Sequence, residues 1–256
     1  MRDMIILEAG INHFGKLRLA KKILNFFLNS SFSHLTFMIH TKNFYNQFKK
    51  KKINFYLPQN FYLKALEQAH KKNKKIGLAV CDEKSFFFYK DINFDFYKLL
   101  SIAITNKKVI NILNKKKKEV YVSLGKGTKE NIKKCINFFR LKKKVKLIYT
   151  SMSYSENDIN LERISELRKS FSLKIGYGHH HNNPLPLFLS SYFYPSFYFI
   201  YLKPEYKKGR VYPDDNHAFF LNELETIKKN VTISEKIIRK KKGKIKIKLD
   251  AKKIRL

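Results

Sequence analysis

Tryptophan is absent from this 256-residue chain, and glycine (9), proline (6) and cysteine (2) are scarce. The two thiols, Cys81 and Cys135, make no disulfide framework, which excludes a small secreted fold held by cystine staples. No secretory leader is expected, because the apolar segment Met4–Leu7 is too short and runs directly into Glu8. The expected compartment is therefore the cytoplasm. Acidic residues are few as well, 20 against 54 Lys and Arg, leaving a formal net charge of +34.

Such a charge raises nucleic acid or an anionic membrane as partners. A blander origin competes. The abundant residues (Lys, Asn, Ile, Phe, Tyr) have A/T-rich codons, whereas the scarce ones (Trp, Gly, Pro) have G/C-rich codons, so genomic drift produces the same bias. The runs Lys49–Lys52, Lys115–Lys118 and Lys142–Lys144 fall between apolar segments, where solvated loops are expected. No specific nucleic-acid binding is expected, only salt-dependent attraction of anions. Asn182–Leu202 is free of charge but interrupted by Pro184, Pro186 and Pro195. It reads as a short helix followed by a strand, not as a transmembrane segment.

Hydrophobic residues make up 44% of the chain, enough for one large core. Eight short apolar or β-branched segments recur: Met4–Leu7, His34–Ile39, Ile76–Val80, Tyr97–Ile102, Glu119–Ser123, Val145–Thr150, Leu173–Tyr177 and Phe197–Leu202. Most are separated by stretches of helical period, the alternation of a parallel sheet. After Gly15, Leu17, Ala20, Leu24, Phe27 and Leu28 share a face. Thr128 is placed to cap a helix burying Ile132, Cys135, Ile136 and Phe139, and Asn160 one burying Leu161, Ile164, Leu167 and Phe171. A closing helix is read from Phe219 through Leu221, Leu224, Ile227 and Val231. Eight such units in a chain this short favour a single-domain α/β fold, a (β/α)8 TIM barrel over residues 1–238, followed by a basic tail over 239–256. In that fold the residues just after each strand carry the chemistry.

Those strand ends carry a pattern. Glu8-Ala9-Gly10-Ile11-Asn12-His13-Phe14-Gly15 resembles the opening motif of the sialic-acid (N-acetylneuraminate) synthase family, and the resemblance runs in register to about residue 226. It implies condensation of phosphoenolpyruvate with an N-acylated amino sugar, with a divalent metal, Mn or Mg, polarising the sugar aldehyde. It assigns Glu8 to the sugar. Tyr97-Lys98-Leu99-Leu100-Ser101 matches the family's fourth strand, making Lys98 and Ser101 a phosphoenolpyruvate-binding pair. Ser123, at the end of the fifth segment, takes another phosphate contact, next to a helix start that suits an anion. Tyr149-Thr150-Ser151-Met152-Ser153-Tyr154 is similar to the sixth strand end and supplies Ser151 and Tyr154. Gly176-Tyr177-Gly178-His179-His180 matches the seventh and points to His180 as a metal ligand, although His179 and His181 adjoin it. In Pro213-Asp214-Asp215-Asn216-His217 either aspartate fits the sugar-binding role, with Asp215 preferred. Family members often dimerise, so a homodimer is open here.

The departures from the pattern are as specific. Thr36 and Met38 stand where the family has a lysine and a glutamine, Ala79 replaces a phosphate-binding threonine and Ala103 an acid. Lys203 occupies the place of the second metal histidine. The resemblance also ends before the small antifreeze-like domain that usually caps the sugar, leaving Arg210 or Lys208 as substitutes for its arginine. Two expectations follow: a divergent synthase, or a catalytically impaired barrel that binds a ligand or a partner.

Overall fold

The computed structural model describes residues 4–40, 55–125 and 127–238. The basic tail from 239 and the Lys49–Lys52 run lie outside the described residues. Eight parallel strands close on themselves: β1 (Met4–Gly10), β2 (His34–Met38), β3 (Lys75–Val80), β4 (Phe96–Leu99), β5 (Glu119–Ser123), β6 (Val145–Tyr149), β7 (Lys174–Gly178) and β8 (Phe197–Lys203). Closure comes from β1 pairing with β8, Met4 opposite Phe197 through Glu8 opposite Tyr201. The described helices are α1 (Leu17–Asn29), α2 (Gln59–Lys71), α3 (Glu83–Phe87), α4 (Lys107–Lys116), α5 (Lys129–Phe138), α6 (Arg163–Phe171), α7 (Leu185–Leu189) and α8 (Leu224–Ile238). The chain is a (β/α)8 barrel, as the alternation implies.

Strand periodicity sorts the side chains into two shells. Residues facing out from the barrel wall, such as Leu7, Leu35, Leu78, Val122 and Ile200, pack with the helix stripes in one large core. The alternate residues Ile6, Phe96, Tyr121, Ile148, Phe197 and Phe199 fill the barrel's interior. Two glycines make room for that aromatic plug. A Cβ on Gly176 would lie 2.1 Å from the Phe197 ring, and one on Gly77 2.5 Å from Phe96. The plug separates the Lys146–Glu119 pair at the amino end of the barrel from the polar inward layer toward the carboxyl ends of the strands.

Several boundaries differ from the sequence reading. The fourth strand stops at Leu99 instead of running to Ile102, because the chain tightens into a 3-10 turn over Ser101–Ala103 before Asn106 caps α4. Asn160 caps nothing: α6 starts at Arg163 without a side-chain cap. Thr128 does cap α5, accepting from the Asn131 N–H. Leu17 is 41% exposed, and the buried stripe of α1 runs through Leu19, Ala20, Ile23, Leu24, Phe27 and Leu28 instead. Phe219 belongs to a ninth strand, β9 (Ala218–Phe220), and not to the closing helix α8. Tyr201 pairs with Glu8 on one side and Ala218 on the other, so β9 extends β8 on the edge that β7 leaves after Gly178. The uncharged stretch 182–202 divides into α7 and most of β8, and no described helix is long and apolar enough to cross a membrane.

Gly176→Ala should therefore lower stability by about 1–3 kcal/mol through overpacking, with Phe197→Leu in the same chain restoring part of the loss. Thermal unfolding of the three proteins checks this; an unchanged midpoint for Gly176→Ala would remove the aromatic plug from the account.

Candidate active site at the carboxyl rim of the barrel

Directly above the plug, Glu8 of β1 and Lys98 of β4 meet across the barrel. The Lys98 ammonium donates to Glu8 Oε1 at 2.5 Å, with both side chains at most 4% exposed. Alternation alone places them there: Glu8 follows the inward Ile6 by two residues, and Lys98 follows the inward Phe96 by two. The ammonium also lies 5.0 Å from the Phe199 ring centroid and 5.5 Å from that of Tyr201. Burial pushes the Glu8 carboxyl up from its ordinary pKa, while the neighbouring Lys98 charge and hydrogen bond oppose that push.

Asn12 fixes the rim next to this pair. Its amide donates to the Leu202 carbonyl at 2.7 Å, and its Oδ1 accepts from the Asp214 N–H at 3.1 Å. The buried side chain thereby ties the end of β1 to the end of β8 and to the segment leading into β9. Asp214 is pressed over Gly10, where a Cβ would stand 2.4 Å from Asp214 Oδ2. Gly10 also has φ +51°, a conformation that side chains other than glycine's rarely adopt. Asp214 Oδ2 is buried without a hydrogen-bond partner among the described residues. Burial, then the nearby Glu8 charge, raises the Asp214 carboxyl to about 7, against the lowering effect of Lys98. A carboxyl that is part protonated at neutral pH sits beside a buried ion pair.

Four histidines lie near the same rim and differ in their surroundings. His217 accepts from or donates to the Tyr154 hydroxyl through Nδ1 at 2.9 Å, and its Nε2 is 3.8 Å from Asp214 Oδ1. His180 lies face to face on His217, ring centroids 4.1 Å apart and planes at 18°, with the Tyr201 ring edge-on to both. Burial holds His180 well below its ordinary pKa and His217 down to about 4, so both rings are neutral at pH 7. His179 points elsewhere, stacked on Phe219. His181 donates from Nε2 to the Tyr154 carbonyl at 2.9 Å and accepts the Asn183 N–H, so it holds the β6 and β7 loops together.

Of the residues singled out from sequence, Glu8, Lys98, His180 and Tyr154 converge directly or through His217. Ser123 is buried at the end of β5, inward of the wall because it follows Tyr121 by two. Ser101 packs against the turn after it, where a Cβ on Gly125 would meet its Oγ at 2.7 Å. Ser151 serves its own loop, accepting from the Ser153 N–H. Asp215 turns away to the Lys203 ammonium at 2.8 Å, and Asp214 takes the place beside Glu8. Sequence reading thus underweighted Asp214, Asn12 and His217. Asp214 and Asp215 lie in the turn over 213–217, and Asp214 is the one packed over the motif's Gly10.

The donor set does not fit a divalent metal. No group of three or more His, Cys, Asp or Glu side chains converges among the described residues. Stacked imidazoles hold their in-plane lone pairs in separate, nearly parallel planes and so not on one point, and Glu8 is already paired with Lys98. At the end of β8, Lys203 brings a positive charge of its own. Arg210 is likewise engaged, donating to Glu205 and the Tyr212 hydroxyl.

Comparison with known proteins adds four likenesses. The NeuB family profile matches residues 21–188. N,N'-diacetyllegionaminic acid synthase of Campylobacter jejuni is 26% identical over 203 residues, covering 70% of this chain and 61% of that protein. The chain thus spans about three-fifths of that relative's length. The crystal structure of N-acetylneuraminic acid synthetase from Leptospira borgpetersenii, in complex with citrate, superposes with a TM-score of 0.82 at 21% identity, over 98% of this chain and 89% of that one. The Bacillus subtilis spore coat polysaccharide biosynthesis protein spsE gives 0.78 at 17%, over 94% and 72%. At those identities the structural likenesses speak for the fold.

Two outcomes test the site's electrostatics. Lys98→Met, which strands the Glu8 charge, should cost about 3–5 kcal/mol in urea unfolding, and the double variant Glu8→Leu/Lys98→Met should regain most of it. Equal stability of parent and Lys98→Met would show that no desolvated pair exists. For Asp214, the raised folded pKa means its stabilising share is full below about pH 4 and lost as pH rises through about 7. The parent's stability relative to Asp214→Asn should accordingly fall by on the order of 4 kcal/mol between those pH values; a flat difference would refute the assignment.

Proposed function

Because the chain belongs to the NeuB family, we propose that it is a sialic-acid-synthase-like enzyme that condenses phosphoenolpyruvate with an N-acylated hexosamine to make a nonulosonic acid. The observation that carries the reading is the buried Glu8–Lys98 pair at the carboxyl rim, with Asp214 beside it. Lys98, Ser101 and Ser123 hold the anionic oxygens of phosphoenolpyruvate, and the amino end of α5 adds backbone N–H groups on the same side. Glu8 and Asp214 face the sugar.

In the reaction, C3 of phosphoenolpyruvate bonds to the open-chain aldehyde carbon, and the aldehyde oxygen takes up a proton. Water adds to C2, and inorganic phosphate leaves with its bridging oxygen while the C2 carbonyl forms. Asp214, with a carboxyl near pKa 7, is suited to give the proton to the developing alkoxide. The proton released by water can return to the same carboxylate, so one group serves both steps. Glu8, paired with Lys98, orients sugar hydroxyls.

Phosphate release from phosphoenolpyruvate in the presence of N-acetylmannosamine and related bacterial deoxy-hexosamines is the direct assay. Turnover with at least one sugar is expected, falling about 100-fold or more in Glu8→Gln and Asp214→Asn. The alternative, a catalytically impaired barrel that binds a ligand or a partner, draws on Thr36, Ala79, Ala103 and the Lys203–Asp215 pair at positions where the family pattern differs. It expects phosphoenolpyruvate binding without turnover across the whole panel, and that result would replace the enzymatic reading.

A further inference from the structure

We propose that this site works without a divalent cation, the Lys98 ammonium supplying at the centre of the barrel mouth the positive charge that would otherwise come from a metal. The inference deepens the preceding reading and rests on it for the identity of the ligand. Its argument is geometric. A divalent ion needs three or more lone pairs aimed at one point. The His180 and His217 rings, stacked 4.1 Å apart at 18°, hold their lone pairs in separate, nearly parallel planes that share no common point between the rings. His217 Nδ1 is occupied by the Tyr154 hydroxyl, and its Nε2 is turned toward Asp214 at 3.8 Å. His179 faces Phe219, and His181 has both nitrogens engaged by the backbone of neighbouring loops. Of these four histidines His181 has both nitrogens engaged. His217 Nε2 and both His179 nitrogens are buried without hydrogen-bond partners among the described residues, but His179 faces Phe219 and His217 is stacked on His180, so their lone pairs do not converge.

The carboxylates are no better placed to hold a cation. Glu8 is matched one to one by Lys98, and Asp215 by Lys203. Asp214 alone has an oxygen free of partners among the described residues, and it stands over Gly10 against the ion pair. Lys98's positive charge reaches His180, His217 and Asp214 together. A divalent ion bound at any of them would be repelled by that ammonium in a low-dielectric cavity. The ammonium itself meets the requirement on the reaction. It is buried, fixed by one carboxylate oxygen and two aromatic faces, and has N–H bonds left over for an enolpyruvate oxygen or an aldehyde oxygen.

The test separates the inference from the function on which it rests. Equilibrium dialysis measures Mn(II) bound to the parent chain and to His180→Ala, with His180→Gln as a second variant should the first fail to fold. The parent and the variants are expected to bind the same amount, their difference below about one-tenth equivalent at about 100 µM free ion. One equivalent present in the parent and missing from the variants overturns the proposal. In parallel, calorimetric titration with phosphoenolpyruvate is expected to give the same affinity within about twofold in EDTA and in Mn(II), and a loss of more than about 100-fold in Lys98→Met that Mn(II) does not restore. Affinity that depends on Mn(II) likewise overturns it. Failure of phosphoenolpyruvate to bind under either condition removes the proposed function instead, and the dialysis result still decides whether His180 holds a metal.

Discussion

A buried ion pair sets the terms for everything above the barrel floor. Lys98 and Glu8 are both almost wholly removed from water, and neither charge survives there without the other. Hydrophobic residues of similar volume would fill the same space at no cost in stability, so stability does not explain the pair. Its presence is readily explained by a need for fixed charge at the mouth. Asp214 takes its unusual proton affinity from the same source, since the burial that raises it is shared and the Glu8 and Lys98 charges act on it in opposite senses. The imidazoles of His180 and His217 stay neutral in the same field.

The aromatic plug is what confines that field. Phe96, Tyr121, Phe197 and Phe199 interlock edge to face below the pair, with ring centroids 5.0–5.9 Å apart. They deny water a route from the amino end of the barrel, so the site opens in one direction only. Gly77 and Gly176 are required by the plug and not by the backbone, and they show how a glycine-poor sequence distributes the few it has.

Much of this was legible in the residues. The eight strands followed from apolar period, and the inward position of Glu8 and Lys98 from counting in twos along β1 and β4. The Thr128 cap was read from one residue type in one place. What escaped was long-range. The Phe219 segment has the apolar pattern of a helix start, and only pairing with Tyr201–Lys203 makes it a strand. The choice of Asp214 over Asp215 depends on Gly10 and Asn12, about two hundred residues earlier in the chain, and on Lys203 drawing the other aspartate away. Local propensity has no term for such contacts. The metal expectation on His180 came from the family pattern, and it is the ring stacking with His217, a tertiary fact, that speaks against it.

The small strand β9 has an evolutionary corollary. It brings Asp214 and His217 to the mouth on a segment that is attached to the barrel wall by three residues of ladder and by the Asn12 clamp. Glu8 and Lys98 stand on the barrel strands, whereas Asp214 and His217 are hung on its edge like a replaceable panel. Substitutions in the panel can therefore change one side of the mouth without disturbing the strands beneath.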